Sequence, residues 1–206
     1  MTAVQSESLQ RLERGLPLRA SPWQESMHAA EFPEAGVLVA LTNEPRPRVL
    51  LGRRALHLPL HPGEVAFAGG KREPGDDSPW ATAIREAREE VGLTPQQIRP
   101  LGELEPLVTR TGFRVYPCVA AVPAQLSLRV DAAEFDSVLM PELYAFADRS
   151  RFRLEVMFDG ERNRKVPHYR FSQDNIWGVT AAILALVVNV AYDAGLDLQR
   201  DWKEQP

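Results

Sequence analysis

A sandwich of the α/β or α+β class is what this sequence predicts, and three observations point there. Strand-like runs rich in Val, Leu and aromatic residues recur at 36–42, 48–54, 99–109, 114–122 and 135–140. Few stretches carry helix punctuation, and they lie before, between or after those runs. The chain has 206 residues, 44% of them hydrophobic, enough for one large domain with a real core. Strands and helices in that mixture bury their apolar faces by stacking in layers.

The elements follow in order. Residues 5–15 read as a short amphipathic helix, and a Pro-containing connector runs on to residue 33, so 1–33 is set apart from a domain at 34–206. "GVLVALT" (36–42) reads as a buried strand, "EPRP" as a turn, and "RVLLGRR" (48–54) as the hairpin partner. "HLPLHPGE" is loop-like, and "VAFAGG" is a short strand ending in Gly69 and Gly70. A helix is predicted over 79–91: Ser78 suits its N-cap, Pro79 its first position and Gly92 its stop. After the later strands, "MPELYAF" opens a short helix. "FRLEVMFDGERNRKVPHYRF" resembles a hairpin turning near Asp159 and Gly160. An apolar helix from 175 to about 194 closes the chain. Its 17 most apolar residues, 176–192, contain Asn189 and fall short of the ~20 that a membrane span needs, so a buried helix is expected.

Composition removes several function classes. A net charge of −4 argues against a general nucleic-acid surface. Cys118 is the only cysteine, which excludes an internal disulfide and suits a reducing compartment. It sits in an apolar run, where packing is the expected role. The first residues are polar and acidic, without a signal-peptide pattern, so a cytoplasmic location is expected.

The chemistry is concentrated in "REAREEVG" (85–92). On the predicted helix, Glu86, Glu89 and Glu90 share one face, and each like-charge pair costs roughly 0.2–0.5 kcal/mol. A solvated face neutralised by Arg85 and Arg88 is one reading. The other is a cation site, favoured by the upstream "FAGGKREPGDD", where Gly69 and Gly70 permit close backbone approach to a ligand. Hard divalent cations take oxygen ligands and keep positions for water or phosphate oxygens.

"GGKREPGDDSPWATAIREAREEVGL" resembles the Nudix box, G-x5-E-x7-R-E-U-x-E-E-x-G-U with U apolar. Gly70, Arg85, Glu86, Ala87, Glu89, Glu90, Gly92 and Leu93 match it. The middle glutamate is replaced by Asp76, with eight rather than seven residues before Arg85. That departure is similar to the coenzyme A diphosphatase branch of the family. "LLGRRALHLPLHPGEVAFAGGKREPGDDS" supplies that branch's Leu50, Leu51, Arg53, Ala55, Leu58, His61, Gly63, Val65, Phe67, Gly69, Gly70, Lys71, Asp76 and Ser78. "TGFRVYPCVAAVP" and "IWGVTA" also look like this branch. Pro59 stands where the branch has arginine, Ala68 where it has proline, Gly52 threonine and Glu73 aspartate.

The resemblance implies a Nudix α/β/α sandwich with a mixed sheet and a C-terminal helical extension. It also implies Mg²⁺ or Mn²⁺ held by Glu86, Glu89 and Glu90 with the Gly70 carbonyl. Glu134, or its neighbour Asp136, is the candidate distal carboxylate. Arg85 would orient a box glutamate, and one glutamate or its coordinated water would act as base. Arg53, Arg54, His61 and Lys71 are the candidate substrate contacts, with Arg72 and His57 beside them. Trp80, Phe113 and Tyr169 are expected in packing. The implied reaction is hydrolysis of the diphosphate in coenzyme A or a derivative, giving 3′,5′-ADP and 4′-phosphopantetheine. The alternatives are another Nudix substrate such as ADP-ribose or a dinucleotide, and a non-catalytic Nudix-fold binding module. The expected partner is thus a small nucleotide diphosphate, with no nucleic acid and no membrane, and a homodimer is the one protein assembly expected.

Overall fold

The computed structural model describes residues 6–19, 23, 32–109, 112–158, 160, 163–171 and 173–198. At its centre, β1 (Glu34–Thr42) pairs parallel with β7 (Arg114–Val122) in register from Glu34 opposite Arg114 to Thr42 opposite Val122. β4 (Ala68–Lys71) adds antiparallel to β1, while β5 (Arg99–Glu103) and β6 (Leu107–Val108) add antiparallel to β7. Both central strands are buried along nearly their whole length, as the unbroken apolar runs require of a sheet covered on both faces.

The period of two divides the sheet's side chains between two cores. Leu38, Ala40, Cys118 and Ala120 face α2 (Pro79–Val91), which contributes Trp80, Ala83, Ala87 and Val91. Val39, Leu41, Val119 and Ala121 face the other layer, α1 (Glu7–Gly15) and α3 (Gly178–Tyr192). The result is the α/β/α sandwich with a mixed sheet that the sequence predicts. α2 has the expected boundaries: Ser78 Oγ accepts from the Ala81 N–H, and Gly92 ends the helix at φ 75, a left-handed conformation that favours glycine.

Two further sheets flank this body. β2 (Leu51–Arg54) pairs with β3 (Val65–Ala66) and β8 (Phe135–Leu139). The expectation that 48–54 is the hairpin partner of β1 is corrected here. Only its beginning meets β1, through a bridge between Leu41 and Val49 and the Leu50 N–H to the Ala40 carbonyl. The strand then leaves for β8, because the Phe135 ring occupies the space where any side chain at Gly52 would lie.

The third sheet is β9 (Phe152–Phe158), β10 (Asn163–Phe171) and β11 (Asp174–Trp177). β9 and β10 are the predicted hairpin; Asp159 of its expected turn lies outside the described residues. β11 corrects the expectation of a helix from 175. Asn175 is held by the His168 ring at 3.0 Å, and the helix begins only at Gly178, whose φ of 64 breaks the run. α3 is buried on most sides, and among the described residues no helix is long and apolar enough to cross a membrane. "MPELYAF" contributes a 3-10 turn at Leu143–Ala147.

Candidate active site

α2 lies across the sheet with its C-terminal half against β4, which sets the glutamates beside the Gly69–Gly70 backbone. Glu90 is almost fully buried, and its Oε2 accepts the Gly69 N–H at 2.9 Å. Burial pushes its carboxyl up to about 8, against the pull of that amide. The Glu86 and Glu134 carboxylates push it further up, and Arg54 opposes them. Glu86 is also raised, first by burial and then by Glu89 and Glu73, with Arg85 holding it down. Gly70 leaves room for the Glu86 carboxylate, which a Cβ at this position would push aside. Glu89 is the outermost of the three, its side chain 58% exposed.

Arg85 is the hub of this face. Its Nη1 reaches Glu86 at 2.9 Å and Glu89 at 3.1 Å, its Nη2 meets the Lys71 carbonyl at 3.0 Å, and its Nε and Nη2 grip Asp76 at 3.2 and 3.0 Å. The Asp76 side chain is largely covered, which by itself would raise its carboxyl. Arg85, the Glu73 N–H and the Thr82 hydroxyl outweigh burial and hold it below the ordinary range. The position at which the sequence departs from the box is therefore the principal anchor of Arg85. The one-residue displacement gave no sequence signal of that contact.

The remaining candidates divide. Arg54 turns inward, with its Nη2 3.9 Å from Glu134 and its Nε donating to the Leu60 carbonyl at 3.4 Å. Arg53 turns away to a two-pronged ion pair with Asp174 of β11, at 2.8 and 3.0 Å, a partner that sequence reading missed. Lys71 extends its ammonium over the Phe113 ring, 5.2 Å from its centre. His61 is half exposed in the loop before β3 and pairs with Glu64 at 3.0 Å. Asp136 caps the Leu56 N–H at 3.1 Å. Trp80 and Tyr169 are buried, donating to Glu103 Oε1 at 2.7 Å and to the Phe146 carbonyl at 3.0 Å. The structure thus gathers Gly70, Arg85, Glu86, Glu89 and Glu90 with Arg54 and Glu134 around them. It does not bring Arg53, His61 or the Lys71 ammonium into that group.

Among the described residues no three His, Cys, Asp or Glu side chains stand ready-made in metal-ligating geometry. The donor chemistry nevertheless fits a hard divalent cation. Every candidate ligand is oxygen, and Glu90 is a buried carboxylate whose neighbours include two further acids. Such a site keeps a proton unless a cation replaces it.

Comparison with known proteins gives the family and the fold. Residues 32–151 match the NUDIX domain. The chain is 37% identical over 188 residues to a protein of Yersinia enterocolitica named "Uncharacterized Nudix hydrolase NudL", covering 90% of this chain and 93% of that one. A protein of the same name from Photorhabdus laumondii is 40% identical over 151 residues, 73% of this chain and 80% of the relative. Among solved structures, a Nudix hydrolase from Alicyclobacillus acidocaldarius superposes with a TM-score of 0.52 at 20% identity, over 78% of this chain and 92% of that one, a likeness of fold.

Proposed function

Because this chain belongs to the Nudix hydrolase family, we propose that it hydrolyses the diphosphate linkage of coenzyme A or a derivative, with Mg²⁺ or Mn²⁺. The coarser statement, a Nudix hydrolase of nucleoside diphosphate derivatives, rests on family membership. The finer one rests on a single observation. The branch-like stretch from Leu50 to Ser78 is the segment that folds around the glutamate face, delivering Arg54, the Gly69 amide, Gly70 and Asp76 to it.

Glu86, Glu89 and Glu90 are the residues that would hold the cation, with Gly70 and Glu134 beside them. When bound, the metal supplies charge neutralisation of the diphosphate and acidifies water. The chain's own residues do the rest. Arg85, fixed by Asp76, orients Glu86 and Glu89. The Gly69 amide orients Glu90. One of the three glutamates accepts the proton of the attacking water, and Arg54 offers positive charge to a phosphate. Arg53, His61 and Lys71 would meet parts of the substrate further from phosphorus. Charge neutralisation and positioning then carry catalysis.

A substrate panel tests this reading: coenzyme A, acyl derivatives, ADP-ribose and dinucleotides, each with Mg²⁺ and Mn²⁺, and products identified by mass. The expected products from coenzyme A are 3′,5′-ADP and 4′-phosphopantetheine. Turnover of ADP-ribose with none of coenzyme A would overturn the substrate and leave the reaction class standing.

A further inference from the structure

Large apolar side chains on the described surface occur mostly singly, as at Leu18 and Leu56. The exception is Val156, Met157 and Phe158, three consecutive exposed residues, with Val156 and Phe158 each about two-thirds exposed. They lie on β9, the edge of its sheet, which pairs only with β10 among the described residues. Edge strands ordinarily carry charge or proline where their backbone is open to another chain. Here the charged residues, Arg153 and Glu155, are paired with each other at 2.6 Å, Glu155 also meets the His168 ring at 3.5 Å, and Val156, Met157 and Phe158 carry no charge.

The backbone pattern says which groups point outward. Arg151 accepts from the Arg170 N–H, so in the continuous register that follows, residues 153, 155 and 157 bond towards β10. The N–H and C=O groups of Leu154, Val156 and Phe158 therefore face away from the sheet, as do those of Phe152, whose N–H is taken by the Arg149 carbonyl at 3.3 Å. Those same residues share one side-chain face, so the open hydrogen-bonding edge and the apolar face coincide.

We propose that this edge is a dimerisation surface, on which two copies of the chain pair their β9 strands antiparallel about a twofold axis at Val156. Charge and shape select that register. A pairing centred on Glu155 sets Glu155 opposite its own copy, which is destabilising. A pairing centred on Met157 leaves Leu154 opposite Gly160, without a side chain to pack. Centred on Val156, the pairing sets Leu154 opposite Phe158 twice and Val156 opposite itself, with Glu155 opposite Met157 on the other face. Six apolar side chains then cover one another, and no like charges meet. The interface is smaller than the ~800 Å² per partner of a standard complex, so the dimer is a concentration-dependent equilibrium.

Sedimentation equilibrium of the full chain tests this. The average mass is expected to rise from that of one chain towards two with concentration. Val156→Lys, which sets two ammonium groups across the axis, is expected to stay at one. Val156→Cys treated with a short bismaleimide is expected to give a covalent dimer that the parent does not, because Cys118 is buried. A parent that stays monomeric at every concentration, or a Val156→Lys variant that associates like the parent, overturns the proposal. If Val156→Lys loses its far-ultraviolet circular dichroism, the Val156→Cys reaction decides, and absence of the covalent dimer overturns it. So does a monomer that sediments with phosphatidylglycerol vesicles, which would assign the edge to a lipid surface.

Discussion

Glu90 shows how one side chain can make stability depend on pH in a direction opposite to most acids. Its carboxyl ordinarily titrates at 4.5 and in the fold is pushed up to about 8, first by burial. Below 4.5 both folded and unfolded chains hold the proton, and the group costs nothing. As pH rises from 4.5 towards 8, the unfolded chain releases the proton while the folded one keeps it, so stability falls across that window. Each tenfold in proton affinity is about 1.4 kcal/mol, and the loss amounts to a few kcal/mol. We therefore expect the chain in a chelator to lose stability relative to Glu90→Gln between pH 5 and 8 (roughly the window just derived), measured by urea unfolding at several pH values. A difference that does not change with pH would mean that Glu90 is not a buried acid. Added Mg²⁺ is expected to flatten the slope, because a bound cation replaces the proton.

At the scale of elements, α2 and its leading loop act as one unit because Asp76, in the loop, fixes Arg85, in the helix. Asp76→Asn is expected to cost about 1–3 kcal/mol by weakening charge-assisted hydrogen bonds to the half-buried Arg85. Because the Asp76 carboxyl is held below its ordinary value of 3.8, its contribution is complete above that pH. It disappears as pH falls through the lower folded value. Thermal melting of both forms between pH 3 and 7 (roughly that range) checks this: the gap should narrow at the acid end. The loop between β2 and β3 offers a second case. Pro59 is exposed there, where the coenzyme A diphosphatase branch has arginine. Pro59→Arg is expected to lower KM for coenzyme A with little change in kcat, the mark of uniform binding. Steady-state kinetics that show neither constant moving would remove this position from recognition.

The whole molecule was legible where local rules and tertiary demands agree. α2 was readable to the residue because Ser78, Pro79 and Gly92 satisfy its ends by themselves. β1 and β7 were readable because strands buried on both faces are continuous apolar runs. Two features were not legible, one set by a contact distant in sequence and the other by a short hairpin that overrides an apolar, helix-like run. β2 leaves β1 because Phe135 needs the space at Gly52, and β11 forms because Asn175 and Trp177 are fixed by His168. The site divides in the same way. The clustering of Glu86, Glu89 and Glu90 follows from helical spacing alone. The commitments of Arg85 to Asp76 and of Arg53 to Asp174 come from segments with no periodic relation to them.

One paired measurement on Glu89→Gln and Glu90→Gln tests whether the glutamate face of α2 holds a divalent cation for hydrolysis. Melting with and without Mg²⁺ is recorded alongside coenzyme A hydrolysis. The account predicts that each substitution abolishes most of the activity and shrinks the stabilisation that Mg²⁺ gives the native state. Without metal, Glu89→Gln should be as stable as the parent or more so, by up to a few tenths of a kcal/mol for each like-charge pair relieved. A solvated face predicts the reverse: slight destabilisation of Glu89→Gln from the lost pair with Arg85, and an intact metal response. Unaltered hydrolysis in both variants would contradict the account.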